Sequence, residues 1–209
     1  SMQDKADHLA VEANEVHERR KIITQLSNLA LQLYSWYIRN GHARNEKDES
    51  GVKNFFYSHL PEGSEKFTAF YERMYLYQSY CWYAFIRQDF LMYYRYAQKW
   101  VDLFDQEPFM MSVETAHYIK GMHNLLGAHF DLQNYEKFDA TLKIFEDFAE
   151  SKIVAQSVNN RIQTFVYLNI SRLNKHFMEG TFSEGVQLVP SIINNLNEYE
   201  LYLDRHRIL

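Results

Sequence analysis

The sequence predicts an all-α fold of stacked antiparallel helix pairs, on three observations. Its 209 residues include only 7 glycines and 3 prolines, and β-branched alternating segments are nearly absent, which argues against strands. Apolar residues recur at the 3–4 spacing of helices over most of the chain. Three short polar interruptions, Gln88-Asp89-Phe90, Gln133-Asn134-Tyr135 and Gly180-Thr181-Phe182, each separate two such periodic runs. Each reads as a tight turn between two helices.

Residues 4–40 read as one long helix. Leu9, Val16, Ile23, Ala30 and Tyr37 repeat every seventh position, with Leu26 and Leu33 between them. The apolar stripe is strong only after Ile22. Before it, Glu12, Glu15, Glu18, Arg19, Arg20 and Lys21 predict a solvated first half, a coiled-coil surface, or one that packs on a segment outside the chain. Gly41 terminates this helix. The polar run 42–51 reads as a loop and Val52–Leu60 as a short apolar helix. Pro61 and Gly63 then break the chain, with Ser64 a candidate cap for the next helix.

Three helix pairs follow, over residues 65–108, 112–151 and 154–202. The first is the most aromatic part of the chain: residues 67–104 hold 15 aromatic side chains. Its first helix, 65–87, is apolar on more than one side, since Tyr75, Trp82, Tyr83 and Ile86 lie off the main stripe; such a helix is covered on more than one side. Helix 90–106 carries a single stripe and stops before Pro108. In the second pair Ser112 is the expected cap of helix 113–131, and helix 135–151 follows. In the third, helix 154–178 precedes helix 183–202, with Ser183 as candidate cap and Pro190 expected to kink or restart it. Leu203–Leu209 read as the start of a further helix, so the 209 residues are expected to form a single helical-repeat domain that is a fragment of a longer array.

Phe90, Tyr135 and Phe182 occupy equivalent places after the turns, 45 and 47 residues apart. Repeats of that period belong to helix pairs that bury a continuous core only by stacking. With the turns Gln88-Asp89-Phe90 and Gln133-Asn134-Tyr135, Leu126-Gly127 in a first helix and Pro108 after a second, residues 65–202 resemble the tetratricopeptide repeat family in a divergent form. The spacing exceeds that family's 34 residues. The small residue expected three places after the turn aromatic is Tyr93, then Phe138, and only in the third unit Gly185. The resemblance implies a right-handed α-α superhelix that does no chemistry and binds a protein or peptide on a groove lined by first helices. Counting from the turns, Tyr75, Gln78, Trp82, Lys120, His123, Tyr167 and Asn174 are the groove candidates. A peptide or effector sensor domain of a larger regulatory protein is the alternative, and a helical-bundle metalloenzyme a distant one.

The chemistry of other classes is sparse. Net charge is −5, with residues 109–150 carrying most of the excess acid, a poor match for a phosphate backbone; no nucleic-acid partner is expected. Glu114-x-x-His117 is a single copy of a motif that di-iron bundles need twice. His117, His123 and His129 are spaced by six and do not share a helical face, so they are expected at the surface or core edge. Cys81, the lone cysteine, sits among Tyr80, Trp82 and Tyr83 and is expected buried and inert. No glycine-rich phosphate loop or nucleophile elbow is present. No enzyme activity, metal or cofactor is expected. No run of 18 apolar residues suggests a membrane span, and a cytoplasmic location is expected, although Ser1-Met2 has the form of an expression remnant that would hide a native leader. Self-association through the N-terminal helix is a further expectation.

Overall fold

The computed structural model describes residues 2–199, with side-chain placement for Lys5 and for residues 7–199. Among them the chain is all-helical: α1 (Met2–Asn40), α2 (Glu46–His59), α3 (Phe70–Ile86), α4 (Phe90–Gln106), α5 (Met110–Val113), α6 (Thr115–Asp131), α7 (Tyr135–Ala149), α8 (Lys152–Ala155), α9 (Val158–Glu179) and α10 (Phe182–Glu198), with one 3₁₀ turn at Ser64–Lys66. The expected further helix at Leu203–Leu209, and the last residues of the helix expected to reach 202, lie outside the described residues.

The three interruptions fold alike. Gln88, Gln133 and Gly180 are left-handed, with φ of 56°, 54° and 70°. The next amide in each reaches back five residues: Asp89 to the Ala84 carbonyl at 3.0 Å, Asn134 to His129 at 2.9 Å, Thr181 to His176 at 2.9 Å. The left-handed residue's own amide reaches back three, to Phe85, Phe130 and Phe177. This is the Schellman closure of a helix C-terminus. Asp89 and Asn134 then cap the next helix, their side chains accepting the Met92 and Lys137 amides at 3.0 and 3.4 Å. Thr181 makes no such cap; its hydroxyl is engaged with His176 instead. Gly41 ends α1 in the simpler left-handed form, φ 71°, its amide on the Tyr37 carbonyl at 2.7 Å.

Several boundaries differ from the sequence reading. Helix α2 begins at Glu46, inside the expected loop, because the Asn45 side chain accepts the Asp48 amide at 2.9 Å and Glu46, Asp48 and Glu49 favour a first turn. Ser64 caps nothing: it opens the 3₁₀ turn after left-handed Gly63, and α3 starts at Phe70 behind Ala69. Ser112 turns its hydroxyl back to the Phe109 carbonyl at 2.7 Å, and α6 starts behind Glu114. The expected helix 154–178 is divided into α8 and α9, because Ser151 and Ser157 each cap a separate start. Ser183 lies within α10, which begins at Phe182 and runs through Pro190 without a restart.

The chain divides into two compact units, residues 1–100 and 101–209, the division falling within α4. In the first, α1 lies along α3 and α2 touches both. Leu29, Leu33, Val52, Phe56, Tyr83 and Ile86 form the buried centre, with Trp36, Tyr37, Phe55 and Trp82 partly buried around it. Phe56 and Tyr83 stack at 4.3 Å with planes 5° apart. Tyr80 and Tyr96 stack at 4.0 Å and join α3 to α4. Each fully buried ring of this kind contributes about 1.5–3 kcal/mol relative to exposure. By contrast, every placed side chain of α1 from Lys5 to Lys21 is exposed.

In the second unit α6 packs on α7 and α9, and α9 on α7, α8 and α10. Phe138, Leu142 and Phe145 of α7 are buried, as are Val166, Ile192 and Leu196 where α9 meets α10. A polar ladder joins α7 to α9 in antiparallel register: Tyr135 to Glu179, Asp139 to Lys175, and Glu146 to Arg172 at 2.9 Å. Gly185 lies where α10 approaches α9 closely, and a Cβ there would meet the His176 Cβ at 3.1 Å.

Candidate interaction surfaces

The seven groove candidates fall on α3, α6 and α9, and all are partly buried. On α3, the Trp82 ring packs on Tyr34 and Tyr37 of α1, with centroids 5.2 and 5.9 Å apart. This side of α3 is therefore roofed by α1 around Trp82. Tyr75 accepts the Ser79 hydroxyl on its carbonyl at 2.8 Å, a helix-internal bond, and Gln78 lies between them in sequence.

On α6 and α9 the structure brings two candidates together. The His123 and Tyr167 rings stack at 4.0 Å with planes 5° apart. Gln163, one turn before Tyr167, donates its Nε2 to the Tyr167 hydroxyl at 3.5 Å. One turn before His123, Lys120 accepts the Asn124 side-chain amide on its carbonyl at 2.7 Å, leaving the ammonium outside that bond. Near the start of the same helix His117 Nδ1 lies 2.9 Å from a Glu114 carboxylate oxygen. Burial holds His117 below its ordinary pKa; Glu114 opposes this and Lys120 adds to it. Asn174 is partly buried two turns beyond Tyr167. The pairing Glu114–His117 supplies two potential ligands, and among the described residues no group of three His, Cys, Asp or Glu side chains is placed to hold a metal ion.

Of the remaining titratable groups, Cys81 is buried and burial pushes its thiol far above the usual range. His129 is not at the core edge, as its spacing suggested, but buried at 1% exposure; burial first, and Lys137 second, lower its pKa to about 4.

Two surfaces escaped sequence reasoning. The first is a groove of about 740 Å³ lined by His17, Arg20, Lys21, Thr24, Gln25, Asn28, Leu29 and Gln32 of α1 and by His59 at the end of α2. Its only sequence signal is the Arg19-Arg20-Lys21 run, which reads as solvated helix until α2 is placed beside it. The second is an aromatic group at the turn end of α9, where Phe177 contacts Phe130 at 6.0 Å and Phe182 at 5.7 Å, with Phe177 and Phe182 both exposed. Among the described residues, no helix is long and apolar enough to cross a membrane. Comparison with protein-family models, with curated proteins and with solved structures found no match to this chain.

Proposed function

We propose that this chain is a non-enzymatic, protein- or peptide-binding helical-repeat scaffold of tetratricopeptide-like architecture, acting in the cytoplasm. The observation that carries the reading is the His123–Tyr167 stack. It couples α6 to α9 through partly buried polar rings, on the same two helices as Lys120 and Asn174. Planar rings with polar edges and few rotatable bonds are the side chains that contribute most to recognition at an interface. The thrice-repeated turn supports the repeat architecture, because identical closures set successive second helices off from their first helices in the same way. Self-association through α1 belongs to the same proposal, since Leu9, Val11 and Val16 stand exposed on it.

The test is a peptide-library screen on the immobilised wild-type chain, with each hit re-measured on the triple variant Lys120→Ala, Tyr167→Ala, Asn174→Ala. The expected result is at least tenfold weaker binding with helicity retained by circular dichroism. Undiminished binding by a folded triple variant would remove this surface as the recognition face.

A further inference from the structure

We infer that the groove between α1 and the end of α2 is a second binding site, and that its ligand is an acidic peptide segment in extended conformation. The inference rests on different residues from the α6–α9 surface and stands whether or not that surface binds.

The lining is one-sided in charge. Among the described residues that line it, the titratable groups are Arg20, Lys21, His17 and His59, and none is a carboxylate. The chain as a whole carries a net charge of −5, and cations elsewhere sit beside acids: Arg87 with Glu49, Arg172 with Glu146, Lys175 with Asp139. At the groove Lys21 lies 3.9 Å from Glu18 on the same helix, with both side chains well exposed. An exposed pair of that kind holds little energy and yields readily to a better-placed carboxylate.

The rest of the lining donates or accepts hydrogen bonds. Thr24, Asn28 and Gln32 continue the line from Arg20 at intervals of four, so they lie along one helical face. Thr24 already spends its hydroxyl on the Arg20 carbonyl at 2.9 Å, and Gln25 donates its Nε2 to the His59 carbonyl at 3.0 Å, which ties α2 to α1 and fixes one wall. The amides of Asn28 and Gln32 remain exposed. Buried Leu29 is the apolar floor.

Length sets how much extended peptide the face can take. From His17 to Gln32 the face runs about 22 Å at the helical rise of 1.5 Å per residue. A peptide of six residues, fully extended, spans about 20 Å. Its backbone meets the carboxamides of Asn28 and Gln32, while its carboxylates meet Arg20 and Lys21; Arg binds such groups in bidentate geometry. A nucleic-acid backbone fits less well. It gains its affinity from neutralising many phosphates at once, whereas this groove offers two permanent cations within an acidic chain.

The probe is fluorescein-labelled hexaglutamate, titrated by fluorescence anisotropy at low salt against the full chain. Saturable binding is expected, weakening as salt rises. In the Arg20→Glu, Lys21→Glu double variant it should weaken at least tenfold; both side chains are exposed, so the fold is expected to survive, which circular dichroism checks. Arg39→Glu, an exposed cation of α1 outside the groove, should leave binding unchanged. Absence of saturable binding, equal binding of hexalysine, or undiminished binding by the double variant would each overturn the site. Tighter, Arg20- and Lys21-dependent binding of a twelve-nucleotide oligothymidylate would overturn the peptide assignment.

Discussion

In the first unit the contacts made by α3 are aromatic: Tyr83 stacks on Phe56, Tyr80 on Tyr96, and Trp82 lies against Tyr34 and Tyr37. In the second, α9 meets α7 through the ladder Tyr135–Glu179, Asp139–Lys175 and Glu146–Arg172. Yet the hairpin α3–α4 and the hairpins α6–α7 and α9–α10 close with the same backbone turn. The turn is thus common to the three hairpins, and the side chains between helices are free to differ. The residue five places before the capping position shows how far. It is Ala84 in the first unit, and His129 and His176 in the second. At the equivalent place in the following helix the first hairpin carries bulky Tyr93, which meets Phe85; in the last hairpin His176 faces Gly185 at close range. Between the first and last hairpins large and small exchange sides, while the middle one buries bulk on both, His129 and Phe138.

The largest effect expected is in the first unit. Phe56 is completely buried and stacked on Tyr83. Phe56→Ala removes a ring from a site that cannot fully collapse, at a cost of about 3–5 kcal/mol. Urea unfolding followed by tryptophan fluorescence measures it. A loss below about 1 kcal/mol would break the comparison, since the rings would then be decoration and not the core of that unit.

Acid is expected to act on the second unit. His129 has its pKa lowered to about 4 by burial, against about 6.5 in the unfolded chain. Between these values the unfolded chain binds the extra proton, so stability falls as pH drops from 6.5 towards 4 and levels off below that. The total is about 3 kcal/mol. The readout is the slope of unfolding free energy against pH. His129→Ala, which copies Ala84 of the first unit, should reduce that slope whatever its cost at neutral pH. Some slope remains, because His117 is lowered in the same sense. An unchanged slope would place the acid sensitivity elsewhere.

The exchange of large and small residues is sharpened by Gly185→Leu. The added side chain meets His176 where even a Cβ comes within 3.1 Å, and overpacking of that kind costs about 1–3 kcal/mol. The double variant His176→Ala, Gly185→Leu imitates the Ala84–Tyr93 arrangement and should recover part of the loss. If it recovers none, the two hairpins differ in helix separation and not only in which side carries the bulk. Thermal unfolding of the four members of the cycle decides between these.

What was legible in the sequence follows the same division. The turns were readable because a polar tripeptide between two apolar-periodic runs has few other folds, and Gln88, Gln133 and Gly180 duly take the left-handed conformation. The long α1 and its glycine stop were readable from periodicity. Caps were not. Ser64, Ser112 and Ser183 have the right chemistry, but the helix starts where the neighbouring backbone allows, and Asn45, Ser151 and Ser157 won that competition locally. The acidic stretch before Val52 read as loop because a solvated helical turn and a loop share a composition. Of the candidate site, counting along first helices named His123 and Tyr167 separately; that their rings stack came only from the structure. The roofing of Trp82 by α1 did not, because lateral packing of a helix outside the repeat leaves no periodic mark. The basic groove was illegible for the same reason: it joins residues 17–32 to residue 59.

The smallest effect bears most directly on the ladder. Arg172 and Glu146 are paired at 2.9 Å, but their side chains remain 42% and 33% exposed. Water screens such a pair, and its coupling in a double-mutant cycle with Arg172→Ala and Glu146→Ala should be about 0.2–1 kcal/mol, falling with added salt. A coupling above about 2 kcal/mol would mean that charges hold α7 on α9, and the two units would be built on different physics. The expected small value has the opposite meaning. Phe138, Leu142 and Phe145, buried on the same helix as the acids, then carry the association as the rings do in the first unit, and the ladder fixes the register in which α7 meets α9 without supplying much of the energy.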